Sequence, residues 1–245
     1  MAASADREPG GSWALASLVL LLVVSMAAAG LLAAGQSRRR PMLPPAQPAL
    51  VPPAAVRTAE RVTARSGERV VVSTEWVAGM ARRTGIPERA MQGYATADVL
   101  ISREQPGCRL GWPTLAAIGA VESAHGSFAG TTIRPDGHTS APIIGVALDG
   151  SDGVKAIPDT DGARLDGDPR WDRAVGPMQF IPVTWAQWGA DANGDGVADP
   201  HQIDDAAFTA ARLLCASGED LSQGSGWRRA VLGYNASSAY ADLVL

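Results

Sequence analysis

Between Trp13 and Ala34 the chain runs for 22 residues without a charged side chain. As a helix, such a run crosses roughly 30 Å of hydrocarbon, the thickness of a bilayer core. A core helix of a soluble domain would carry a polar stripe, whereas this run has only Ser17 and Ser25, so it predicts membrane insertion. Small residues at Ala27 to Gly30 and at Ala33 to Gly35 offer cleavage sites. The apolar run nevertheless exceeds the core of an ordinary signal peptide, which favours an uncleaved anchor over a removed leader. This segment leaves residues 1–12 as a short tail and forces the folded part to its C-terminal side.

A spacer follows. From Pro41 to Pro53 the sequence reads PMLPPAQPALVPP, six prolines in thirteen residues, a semi-rigid extended stretch that cannot fold. Residues 35–73 are read as linker and 74–245 as one globular domain. With 46% hydrophobic and 19% charged residues the chain as a whole is not that of a disordered protein. Its 21 basic residues against 25 acidic ones, a net charge of -4, leave no basic stripe for nucleic acid.

Helical signals dominate that domain. Thr74 caps a stretch whose Trp76, Val77 and Met80 keep an apolar stripe up to Gly85. A second helix is predicted from Pro87 to Arg103. A third opens at Gly111-Trp112-Pro113, with proline near the first helical position, and closes at Gly126. Further helices are expected at 182–188, 204–217, 227–234 and 237–245. Residues 127–173 are rich in Gly, Asp and Pro, with a β-prone piece at Ile143 to Leu148, and read as a long loop or small hairpin. The fold class is therefore mainly α (α+β), with a small β or loop insertion.

The residue with the most chemistry to offer is Glu122. Leu115, Ile118 and Glu122 share one side of the third helix, which places a carboxylate on an apolar stripe in a last turn. Desolvation and the negative end of the helix dipole both raise its pKa. A glutamic acid protonated near neutral pH can protonate a glycosidic oxygen. From helix position alone, a Glu that bends to solvent or pairs with an arginine is the more common outcome.

Three segments decide between these. AAIGAVESAHG at 116–126, AVGPMQFIPVTW at 174–185 and GYNASSAY at 233–240, in that order, resemble the lytic murein transglycosylases of the B type in their actinobacterial form. The resemblance covers about residues 74–245 and implies a lysozyme-like transglycosylase domain. It implies that Glu122 is the sole catalytic acid/base, followed by Ser123 as in the motif. It also implies that Met178, Gln179 and Phe180 line a saccharide groove and that Tyr234 and Asn235 stand beside the catalytic Glu. Where the family pattern often has an aromatic residue after Glu-Ser-x, this chain has His125. Independently of any family, amides and hydroxyls such as those of Gln179, Tyr234 and Asn235 suit sugars, because they both donate and accept.

A second motif points to a metal. In DANGDGVAD, residues 191–199, Asp191, Asn193 and Asp195 alternate at EF-hand spacing, Gly196 takes the turn position, and the Val197 carbonyl is the next oxygen. Position twelve is Gln202, which lacks the bidentate carboxylate; the resemblance implies Asp205 as the matching acid. The expectation is a structural Ca²⁺, with no cofactor needed for catalysis. The acidic run DTDGARLDGD at 159–168 has similar residues without that spacing and reads as a loop. Cys108 and Cys215 lie outside any CxxC or Cys/His cluster; in an exported domain they favour one disulfide over two buried thiols.

Together these predict a membrane-tethered, monomeric lytic transglycosylase that cleaves the MurNAc-GlcNAc β-1,4 bond of peptidoglycan and leaves 1,6-anhydromuramyl ends. The alternatives are a hydrolytic muramidase using a second acid, such as Asp172 or one from 159–168, and a non-catalytic peptidoglycan-binding scaffold. The expected location is the cell membrane, single-pass, with the domain outside, or secreted if the N-terminal segment is cleaved. One feature opposes export: Arg7 sits among Asp6 and Glu8, while Arg38, Arg39 and Arg40 follow the span. The positive-inside rule alone would put the C-terminal side in the cytoplasm; the domain that follows favours the opposite.

Overall fold

The structure, a computed structural model, describes residues 70–151 and 154–245. The predicted anchor at 13–34 and most of the linker lie outside the described residues. Among the described residues no helix is long and apolar enough to cross a membrane.

The first helix, α1 (Thr74–Thr84), is capped by Ser73 and not by Thr74: the Ser73 hydroxyl accepts the Trp76 N–H at 3.3 Å, and Gly85 closes the helix in the left-handed conformation. Val72 is already buried against the core, so the last residues assigned to the linker take part in the domain's packing. Helix α2 (Glu88–Glu104) follows Pro87. Helix α3 (Trp112–Ser123) starts after Gly111 as predicted, but stops three residues before Gly126, because Ala124 turns left-handed and ends the ladder. A single 3-10 turn at Phe128–Gly130 leads into the insertion. The insertion contains one antiparallel ribbon, β1 (Ile144–Ala147) against β2 (Arg173–Val175), in the register Ile144 opposite Val175 and Ala147 opposite Arg173. Helices α4 (Pro182–Trp188), α5 (Ile203–Cys215), α6 (Gly224–Tyr234) and α7 (Ser238–Val244) complete the chain. A mainly helical domain with a small β insertion is what the sequence predicted.

Helix α5 is the hub, packing on α2, α3, α4 and α6. It is rich in alanine and almost wholly buried, with Ile203, Ala206, Ala207, Ala210, Ala211 and Leu214 inside. Close contact with α2 depends on Gly93, where a Cβ would come within 2.9 Å of the Ile203 side chain. At the start of both helices Arg89 forms a bidentate pair with the Asp204 carboxylate, so the charge of a buried aspartate is compensated where it sits. At the far end Cys108 and Cys215 form a disulfide, with Cα atoms 5.5 Å apart. The bond fastens the loop after α2 to the last residue of α5. Helix α7 packs on α3 and α6, which brings the C-terminus back to Glu122.

Because that disulfide closes a loop with a sequence separation of 107, reducing it is expected to lower unfolding free energy by about 2–5 kcal/mol. Urea denaturation with and without reductant measures this; coincident midpoints would mean that the thiols are unpaired in the folded protein.

Candidate active site

Helix α3 is built almost entirely from apolar and small residues, and it delivers Glu122 to its last turn, half-buried. The Glu122 Oε1 accepts a hydrogen bond of 2.6 Å from the Tyr240 hydroxyl on α7. Burial pushes the carboxyl up to about 7, with the Tyr240 donor opposing the rise. The hydrogen bond favours the carboxylate, but desolvation is the larger effect. The Tyr234 hydroxyl is raised well above its ordinary value by burial first and then by the nearby Glu122 charge. Glu122 therefore sits among phenols in a desolvated setting, with no arginine among the described residues bonded to it.

Beside it, the turn at 176–179 is clamped from two sides. The Ser123 hydroxyl donates to the Pro177 carbonyl at 2.6 Å, and the Tyr234 hydroxyl donates to the Met178 carbonyl at 2.7 Å. Val175 and Phe180 exchange backbone hydrogen bonds across this turn. Gly176, at φ 77°, presses on the Pro200 carbonyl where any Cβ would overlap it, so this position requires glycine. The Phe180 ring meets Trp185 and Tyr234 edge-on, at 5.3 Å and 5.8 Å.

The structure brings the predicted site residues together in unequal ways. Ser123 and Met178 are buried, and their polar atoms serve the protein: the Ser123 oxygen also accepts the Gly126 N–H at 2.8 Å. Phe180 is a core ring. Gln179, left-handed at φ 50° and half-buried, donates from Nε2 to the Gly176 carbonyl at 2.8 Å and lies against Gly145 of β1. Asn235 is exposed and accepts the Ser237 N–H at 3.2 Å. These placements make Ser123, Met178 and Phe180 supports of the turn, and leave Glu122 and Gln179 partly buried and Asn235 exposed. Tyr240 was missed: it ends the GYNASSAY segment, and its signal is a lone aromatic at buried spacing with Ala241 and Val244.

The loop at 191–199 forms a tight set of turns. Asp191 accepts the Gly194 and Gly196 N–H groups at 2.7 and 2.8 Å, Asn193 accepts that of Asp195, and Asp195 that of Val197, both at 2.8 Å. Asp205, fully buried at the start of α5, accepts from Ala192 at 2.8 Å, Asn193 at 3.3 Å and Asp199 at 3.0 Å. Burial raises its pKa to about 6. Gln202 is not a ligand but the cap of α5, its Oε1 accepting from Asp204 and Asp205 at 2.6 and 3.0 Å. Asp191, Asn193, Asp195 and the Val197 carbonyl offer hard oxygen atoms on the loop and Asp205 offers one from the start of α5, the residue types a Ca²⁺ site uses. Here, however, each carboxylate accepts backbone N–H groups, and Asp191, Asp195 and Asp205 are not among the acids that converge. Two acids of the run at 159–168 converge with Asp172 beyond it: oxygens of Asp159, Asp161 and Asp172 lie within 4.8 Å of one another. All three are engaged, Asp172 by the Thr160 N–H and hydroxyl at 2.8 and 2.7 Å, Asp159 and Asp161 by loop N–H groups.

No family model matches the chain, and no curated protein matches it. Among solved structures, SltB3 from Pseudomonas aeruginosa in complex with NAG-anhNAM-pentapeptide is similar at 18% identity and a TM-score of 0.39. The match covers 74% of this chain and 67% of that one. At that level the likeness fixes neither fold nor activity.

The Glu122 carboxyl is expected to leave a stability signature. Its pKa is about 7 folded against 4.5 for the ordinary group, so between those values the folded state holds more protons and stability falls as pH rises. Above pH 7 the loss is complete. Glu122→Gln removes this titration and is expected to be more stable than the wild type by about 1–2 kcal/mol at pH 8, the difference vanishing near pH 4. Denaturation curves at the two pH values measure it.

Proposed function

We propose that the protein is a lytic transglycosylase that cleaves the MurNAc-GlcNAc β-1,4 bond of peptidoglycan with one carboxyl, Glu122. The observation that carries this reading is the state of that carboxyl: held up to about 7 by burial, with Tyr240 its hydrogen-bond donor and no second carboxylate among the causes of its shift. Glycosidases that hydrolyse place a second carboxylate about 5–9.5 Å from the first. Of the acids that sequence offered for that task, Asp172 is fully buried with both oxygens taken by Thr160, and Asp159 and Asp161 of the 159–168 run accept loop N–H groups.

In the proposed reaction Glu122 donates its proton to the oxygen that leaves C1 of the muramic residue. The resulting carboxylate then accepts the proton of the muramic 6-hydroxyl as that oxygen attacks C1, which closes a 1,6-anhydro ring and returns Glu122 to its starting state. Because the nucleophile belongs to the same sugar, its placement substitutes for a water-activating base. Tyr240, donating to the carboxylate, stabilises the form produced midway. Gln179, on the turn that Ser123, Met178 and Phe180 support, and Asn235, just past the end of α6, are the proposed polar contacts to the glycan.

The same reading places the domain outside the cytoplasm, tethered by residues 13–34. The Cys108–Cys215 disulfide supports this, since such bonds persist in oxidising compartments. Ca²⁺ held by Asp191, Asn193, Asp195, Val197 and Asp205 is proposed as a structural ion that would neutralise the buried Asp205 and leave the chemistry to Glu122.

Digestion of purified peptidoglycan tests the main claim. The expected products carry anhydromuramyl ends, lighter by one water than reducing ends, and Glu122→Gln is expected to release none while still binding. Reducing ends would favour a muramidase, and wild-type protein that binds but releases nothing would favour a scaffold. For the metal, millimolar Ca²⁺ is expected to raise Tm by several degrees, an effect lost in Asp191→Asn/Asp195→Asn; an unchanged Tm would remove the ion from the account.

A further inference from the structure

The turn that ends α3 contains three consecutive left-handed residues, Ala124 at φ 50°, His125 at φ 59° and Gly126 at φ 81°. Side chains disfavour that conformation, and it persists only where neighbours hold it. Backbone bonds supply part of the hold: Ala124 N–H donates to the Ala120 carbonyl at 3.0 Å and His125 N–H to the Gly119 carbonyl at 2.8 Å. Two side chains add to the hold: the Ser123 hydroxyl accepts the Gly126 N–H at 2.8 Å, and His125 anchors the middle of the turn. Its Nδ1 lies 3.2 Å from the Tyr94 hydroxyl, and its ring tilts against the Tyr94 ring at 5.9 Å.

Tyr94 is fully buried on α2, and its hydroxyl rests on Gly119, one helical turn before Glu122, where any Cβ would overlap it. A buried hydroxyl proton needs an acceptor. Among the described residues the acceptor in reach is the His125 Nδ1, so Tyr94 donates, Nδ1 carries no proton, and the imidazole is neutral with its proton on Nε2. Protonating Nδ1 would reverse the bond and strand the phenolic proton. Burial independently pushes His125 below its ordinary pKa.

We propose that His125 is a positioning residue for Glu122: by accepting the Tyr94 hydroxyl it locks the left-handed turn and fixes the carboxyl beside Tyr240 and Tyr234. The inference rests on the reading of Glu122 as the catalytic acid. It takes up the position at which this chain departs from the resembled pattern. The groups around the network are Tyr94 from α2, Tyr234 from α6 and Tyr240 from α7, all neutral, so the lock exerts its effect through placement and exclusion of water and not through charge.

The test uses the full chain in detergent and three variants. His125→Phe keeps a ring without an acceptor, Tyr94→Phe removes the donor, and His125→Asn keeps an acceptor in a residue that tolerates the left-handed region. Both Phe variants are expected to lower kcat at least about tenfold with little change in KM. The double Phe variant should lose no more than either single one, since both break one bond. The Glu122 titration midpoint, followed by its carboxyl ¹³C shift, should fall toward the ordinary range in both Phe variants and stay near the wild-type value in His125→Asn. An unchanged midpoint in folded Phe variants would overturn the proposal, as would additive losses or an Asn variant as impaired as Phe. If wild-type protein releases no anhydromuramyl product, the functional reading fails, while the Glu122 titration still decides the role of His125.

Discussion

The withdrawal of one carboxyl from water is the constraint on which the rest of this structure depends. Glu122 is held near neutrality because α3 presents almost no polar atoms around it, and because α7 returns from the end of the chain to cover it with Tyr240. Such an arrangement disfavours folding at neutral pH, since an ordinary solvated carboxylate would be free of the desolvation cost. The disulfide, the alanine-rich hub helix and the Arg89–Asp204 pair offset that cost at a distance from the site. Strain and desolvation concentrated in one place and stabilised from elsewhere is the pattern expected of a functional centre.

The turn at 176–179 shows how a motif can serve placement more than contact. Gly176 permits close approach to Pro200, Ser123 and Tyr234 hold successive carbonyls, and Phe180 joins Trp185 and Tyr234 in one aromatic group. Two helices and a loop are thereby fixed against the residue that follows Glu122. The conformation also drives Gln179 into the left-handed region, against Gly145 of the ribbon. The insertion and the helical body thus meet at the Gln179 side chain.

Much of this was legible in the sequence because it rests on local rules. Proline near the start of α3 and Gly85 after α1 each have one physical meaning, and each appears where expected. Glu122 was legible as a carboxylate on an apolar stripe. What the sequence did not disclose is tertiary: that Ser123 turns inward to Pro177, that Met178 contributes a carbonyl and not a side chain, and that Tyr240 reaches across from α7. The end of α3 was misplaced for a related reason. Gly126 is the obvious terminator, but Ala124 and His125 enter the left-handed region first, held by contacts with Gly119 and Tyr94 that spacing does not reveal.

The central claim is that a single carboxyl, protonated at neutrality by its burial, starts the reaction. The pH dependence of kcat/KM on purified peptidoglycan, measured from about pH 4 to 9, tests it most directly, because that profile reports the essential groups of the free enzyme. The account predicts a plateau at acid pH and one descending limb near 7, the value set by the Glu122 environment. A descending limb at the ordinary carboxylate value, or a bell whose rising limb belongs to a second carboxylate, would contradict it.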